Sequence, residues 1–339
     1  MYKRQRSNES ERNGKTHAKT PLEPIIAVLE IRIEIVAEKK AGGTMIRINL
    51  QVDLNYEIDG GGADFVFNVH AAHTPNQTIS AESLTLSQAI PQRMHTAPVT
   101  GNRYMYVHAD PGDLKLSYAA TVDLVHYFAN PAQIAEVPVR DLPPEVMGYI
   151  YPSRYCQSDR LIKLATREFG RLSQGYSRVQ AIQDWVKRQV TFTLHSSNSN
   201  TSAVDTLIEQ VGVCRDFAHL MIALCRAVNI PARFATGTDY GADPTLGPSD
   251  FQAYVEVYLG YRWYIFDPSG TGIPMGFVRF GTGRDAADVA FATIFGGVRS
   301  HAAVIRALAI EDQAHGLVLP HHCQEALSTD SGLAVEPRA

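Results

Sequence analysis

The stretch Gly212-Val213-Cys214-Arg215-Asp216-Phe217-Ala218-His219 sets a thiol at the point where an apolar helix is expected to begin. The first N–H groups of a helix lack intrahelical partners and carry the positive end of its dipole, which favours thiolate over thiol. Gly212 permits a tight approach, and the Cys214 N–H is placed to donate to a developing oxyanion. The same position also suits a small core residue, and the pattern alone leaves both open. A nucleophilic thiol needs a base. His219 lies five residues on, rotated about 140° around the helix, and reads as a buried structural residue. His195 sits in the polar loop His195-Ser-Ser-Asn-Ser-Asn-Thr-Ser202. Arg215 and Asp216 read as helix-end electrostatics.

A second constellation lies at Ser249-Asp-Phe-Gln-Ala-Tyr-Val-Glu-Val-Tyr-Leu-Gly-Tyr-Arg-Trp-Tyr-Ile-Phe-Asp-Pro268. Two β-branched and aromatic runs around a short break predict a hairpin. A turn at Leu259-Gly260 sets Gln252 directly across from Asp267, with Tyr254, Trp263 and Ile265 on the same face. A carboxylate held across a strand pair is suited to orienting a histidine, but glutamine cannot exchange a proton near neutral pH. Tyr240, Tyr254 and Trp263 are candidates for a cleft wall, although strand aromatics also serve as core. The loop containing Asp243, Pro244, Gly247 and Pro248 is a candidate cleft rim.

These groups need a scaffold. Ile46, Ile48, Leu50, Val52, Leu54 and Tyr56 alternate with polar residues, the period of a half-buried strand. Similar runs recur to residue 130, so 45–130 is expected to be a β-rich domain. Five prolines mark 131–154 as a linker. Helical spacing follows over Asp159–Arg171 and Ser177–Gln189, with Ser158 and Ser177 as N-caps. After the Cys214 helix, Asn229 and Pro231 act as the stop, and a strand is expected over 232–237. The core runs over 155–300, and 301–339 is a tail with one short helix and a loose end.

Residues 1–44 are expected to be disordered or a misassigned N-terminal extension. Met45 directly precedes the first regular strand, and the charges Glu30, Arg32 and Glu34 exclude a secretory or membrane-spanning reading of 24–37. With 339 residues and a net charge of −4, the composition gives no reason to expect nucleic acid or membrane as a partner. Cys156, Cys214, Cys225 and Cys323 show neither metal-ligand nor disulfide spacing. Cys225 reads as core beside Leu220 and Leu224. No metal or organic cofactor is expected, and a reduced, cytoplasmic setting is.

The string AIQDWVKRQVTFTLHSSNSNTSAVDTLIEQVGVCRDFAHLMIALCRAVNIPARFATG (181–237), with the hairpin after it, closely resembles the bacterial transglutaminase-like superfamily. The likeness covers about 155–290, and 45–130 resembles the N-terminal domain that often precedes this core. The resemblance implies an α+β fold: a papain-like core of helices on an antiparallel sheet, preceded by a small all-β domain. It also implies a Cys-His-Asp triad for thiol-mediated acyl transfer or amide hydrolysis on a peptide, protein or small amide. Cys214 matches the nucleophile and Asp267 the orienting carboxylate. The family pattern Asp-Phe-His-Ala reads Asp250-Phe251-Gln252-Ala253 here, so Gln252 occupies the histidine position. The expectation is lost or weakened thiol chemistry. The alternative is an active cysteine-dependent enzyme using another base, such as His195.

Overall fold

A computed structural model describes residues 45–238, 240–241 and 250–329. The expectations for 1–44, for the rim residues Asp243 to Pro248, and for the last ten positions lie outside the described residues.

The alternating pattern from Ile46 produces β1 (Ile46–Ile58), thirteen residues with every second side chain buried. It pairs along its full length with β6 (Gly112–Leu124), which continues to β3 (Gln77–Leu86). The facing sheet holds β2 (Ala63–Phe67), β4 (Arg93–Thr96) and β5 (Arg103–Ala109). Ile48, Leu50, Phe65, Phe67, Met105 and Tyr118 fill the space between the two sheets. Shape-complementary apolar faces of this kind are the main source of stability in a sandwich.

A third, antiparallel sheet has the order β13-β10-β11-β12-β17-β7. Its members are β7 (Tyr127–Ala129), β10 (Ala232–Thr238), β11 (Gln252–Leu259), β12 (Arg262–Phe266), β13 (Val278–Gly283) and β17 (Ala326–Ser328). Both of its faces are covered. Val255, Val257, Leu259 and Phe266 pack against the helices, while Tyr254, Ile265 and Phe280 join the core of the β-sandwich. The helices are α1 (Pro144–Met147), α2 (Ser158–Phe169), α3 (Tyr176–Gln189), α4 (Ala203–Glu209) and α5 (Cys214–Ala227). On α5 every residue from Asp216 to Arg226 is buried, as its unbroken apolar run requires. The fold is therefore α+β, with helices on an antiparallel sheet and an all-β layer beyond it.

Several local expectations need correction. The caps of α2 and α3 are Gln157 and Gly175, neither with a side-chain bond. Gly175 adopts φ +128, which starts α3 one residue early. The 131–154 stretch forms two short 3₁₀ turns and α1, and buries Val137, Leu142 and Val146 against Trp263 and Tyr258. In the 301–339 tail, a short 3₁₀ helix at Gln313–His315 follows β16 (Val304–Ile310), an unexpected strand that pairs with residues 47–53 of β1. Just before β16, β14 (Ala292–Phe295) joins β2 and β15 (Val298–Ser300) joins the end of β1. Residues 292–310 thus complete both sheets of the sandwich. The described residues form one compact unit.

The layer boundary holds a buried charge cluster. Glu256, fully inaccessible, accepts from Arg233 at 2.6 Å, Arg279 at 3.0 Å and Thr329 at 2.6 Å. Burial alone would raise its pKa, but the two guanidiniums and the hydroxyl hold it down to about 2. Arg233 also lies over the Trp263 ring at 4.0 Å. Trp263, like Tyr254 against Phe277, is therefore core and not cleft wall.

Candidate active site

Thr191–Phe192 (β8) and Val211–Gly212 (β9) form a short parallel pair. This pair brings the 193–202 loop beside the start of α5. Asp216 fixes the junction: its Oδ2 accepts from Val213 N at 2.9 Å, and its Oδ1 accepts from Ser197 Oγ at 2.8 Å. Arg215 donates to Ser197 Oγ and Asn198 O, both at 2.6 Å. A Cβ on Gly212 would meet Asp216 Cβ at 2.8 Å, so glycine is required by the closeness of this turn. At the far side of the loop, Tyr155 Oη donates to Ser199 O at 2.7 Å.

Cys214 is the first residue of α5, as its sequence context requires, and its Sγ points to Phe251 O at 3.8 Å. Its electrostatics differ from the expectation. The residue keeps partial surface exposure, but burial of the sulfur dominates and pushes the thiol up to about 12. Asp250 and Asp267 push the same way, while backbone donors from Ala253 and Arg215 oppose them without prevailing. Desolvation of the charged form outweighs the helix-start effect.

Gln252 opens β11 and lines the same cavity as Cys214. The hairpin register is shifted from the expected one. Leu259 pairs with Arg262 and Val255 with Phe266, because the turn is Gly260-Tyr261, with φ of 51° and 63°. Two left-handed residues in succession are the mark of a type I′ hairpin. Continued one step, this register sets Asp267 beside Tyr254 and not beside Gln252. The shift is two residues, so the shared face survives. Asp267 is engaged locally. Its Oδ1 accepts from Ser269 N, Ser269 Oγ and Gly270 N at 3.0, 2.6 and 2.9 Å, and its Oδ2 accepts from Gly272 N at 3.1 Å. Cys214 and Gln252 line one cavity, and Asp267, near enough for its charge to act on the thiol, holds the 269–272 loop.

The histidines are arranged elsewhere. His219 is buried, stacks on Tyr155 at 5.0 Å and 13°, and accepts at Nε2 from Ala286 N at 3.2 Å. Burial holds its pKa well below the ordinary value, as do Arg215 and Arg226. His195 takes φ 62° in its loop and does not line the cavity. Cys225 is buried with Leu220 and Leu224. Among the described residues, no group of three or more His, Cys, Asp or Glu is placed to hold a metal ion.

The cavity encloses about 730 Å³. Its walls come from the Tyr155–Ser199 side, from the start of α5 and β11, and from the 286–294 segment that leads into β14. Sequence reasoning missed Arg154 and Phe291 on this wall. Arg154 lies at the end of a proline-rich stretch, and Phe291 lies in a segment without periodicity, so neither carried a local signal.

Residues 163–268 match the Transglutaminase-like superfamily description, and 46–145 match the Bacterial transglutaminase, N-terminal domain description. The crystal structure of a "putative cysteine protease" from Cytophaga hutchinsonii is 38% identical, with a TM-score of 0.78. That likeness covers 84% of this chain and 97% of the other. An uncharacterised protein of Mycobacterium leprae is 25% identical over 146 residues, which is 42% of this chain and 52% of that protein. One of Mycobacterium tuberculosis is 31% identical over 125 residues, 33% of this chain and 40% of that protein. The chain thus spans about half or less of the length of the curated relatives it matches. With both regions matched in order and a full-length structural relative at this identity, the chain belongs to the transglutaminase-like superfamily.

Proposed function

We propose that this protein is a binding member of the superfamily, descended from thiol acyl-transfer or amide-hydrolysing enzymes, in which that chemistry is lost or strongly weakened. The observation that carries the reading is the pair Cys214 and Gln252 in one cavity: a thiol pushed up to about 12 beside a side chain that cannot take its proton. Such a thiol is overwhelmingly protonated near neutral pH. Amide cleavage suffers most, because the leaving nitrogen also needs a proton that a histidine would return. No histidine lines the cavity among the described residues, which weighs against His195 as a substitute base. The cavity itself persists, with the volume of a small-ligand site, and this supports retention of a peptide, protein segment or small amide as ligand. A cytoplasmic setting is part of the proposal, supported by four free cysteines. Nucleic acid and membrane are not among the proposed partners.

The test is iodoacetamide alkylation from pH 6 to 10, with the Cys214→Ser protein reporting the labelling at Cys323 to be subtracted. Alkylation of Cys214 is expected to rise without an inflection below pH 9. A plateau with an apparent pKa below about 7.5 would show a working ion pair and overturn the reading.

A further inference from the structure

The cavity beside Cys214 is asymmetric in charge and in polarity. Asp250 stands on the β11 side, where its charge acts on the thiol. Arg154 and Arg215 stand on the Tyr155 side. Arg215 is committed to Asp216, at 3.2 Å, and to the 197–198 loop. Arg154 is not: it is exposed, and its guanidinium lies over the Tyr155 ring at 4.9 Å with no carboxylate partner among the described residues. A guanidinium resting on an aromatic face keeps its N–H edge free, in the planar fork that matches a carboxylate. Tyr155 is itself held firmly, stacked on His219 and bonded at both its N–H and its hydroxyl. Another part of the lining is apolar. Phe251 and Phe291 stack at 4.2 Å and 13°, with Val289 and Ile294 beside them in the lining.

From these features, and resting on the reading above that the cleft binds without turnover, we propose a ligand class. The cavity takes the C-terminal end of a peptide whose last side chain is large and apolar. That side chain packs on Phe291 and Phe251, and the free α-carboxylate pairs with Arg154. Asp250 disfavours the reverse orientation, since it would face the carboxylate. A cavity of about 730 Å³ has the size of a small-ligand site, room enough for the last few residues of a chain.

Calorimetric titration of the full chain with N-acetyl-Ala-Phe and with its C-terminal amide tests this. The acid is expected to bind about tenfold more tightly than the amide, as a charge-assisted pair in a partly enclosed site allows. Arg154→Ala should remove the difference, Arg154→Lys should keep part of it, and raising the salt from 50 to 500 mM should shrink it. Phe291→Ala should weaken acid and amide alike by several-fold. Arg154 is a surface residue, so thermal melts of its variants should match the natural protein. Equal affinity for acid and amide, a preference that survives Arg154→Ala, or no binding of either peptide would overturn the proposal. Mass spectrometry of the same mixtures keeps the two readings apart. Release of phenylalanine or its amide would overturn the loss of chemistry, and the ratio of kcat/KM for acid and amide would then decide the carboxylate preference.

Discussion

Glutamine at position 252 has nearly the reach of histidine, but it offers a fixed amide where the proposed ancestral chemistry would use an exchangeable proton. Replacing Gln252 with His should therefore restore base catalysis at little cost to the fold. Turnover of an activated ester or a small amide is expected to rise by at least ~10²-fold. Adding Cys214→Ala should abolish the gain. A folded Gln252→His protein with no gain would show that the oxyanion donors or the substrate cleft have also changed. Asp267 behaves differently. It accepts four hydrogen bonds from residues 269–272, so Asp267→Ala should lower stability by about 1–3 kcal/mol even in the natural, glutamine-bearing protein, measurable by urea titration. A variant as stable as the natural protein would contradict that loop-holding role. The identities at 214, 252 and 267 were legible because each sits in a short string with its own pattern. The ionisation of Cys214 was not, since it is set by Phe251, Ala253 and other groups distant in sequence that close around the sulfur.

The start of α5 shows how an element constrains a site. Gly212 leaves no room for a methyl group against Asp216 Cβ, which is close to backbone and not a flexible tip. Gly212→Ala should cost about 1–3 kcal/mol by forced displacement. It should also loosen the 193–202 loop, through loss of the Ser197–Asp216 bond. Hydrogen exchange at Asn198 and Thr201 reports the second effect, and unchanged protection there would argue against the coupling. The elements themselves were readable where local pattern and burial agree, as in β1 and α5. The hairpin was readable as a hairpin, but its register depended on whether Tyr261 would accept a left-handed backbone, for which a tyrosine gives no sign.

At the scale of the molecule, burial also sets the response to acid. His70 and His126 are held at about 4 and His219 well below its ordinary value, in each case chiefly by burial. The unfolded chain takes up these protons near pH 6.5, and the folded chain resists until about pH 4 or lower. Stability is thus fully present above pH 6.5 and declines as the pH falls towards 4, by up to about 1.4 kcal/mol per unit for each group. Denaturant midpoints at pH 7.5, 5.5 and 4.5 should fall in that order, and a flat series would contradict neutral burial of these rings. What no local pattern could reveal is the path of residues 292–328. Residues 292–310 return to the sheets begun by 46–67, and Ala326–Ser328 inserts between strands at 127–129 and 262–266. Most of these pairings close loops of roughly two hundred residues or more, the costly kind of contact for a folding chain. A ribosome making this protein must therefore deliver nearly all of it before either sheet can be finished, and the early strands wait with open apolar edges. Nascent chains stalled near residue 290 are the species on which holding chaperones would act, whereas a chain extended past residue 328 carries every described strand of the three large sheets.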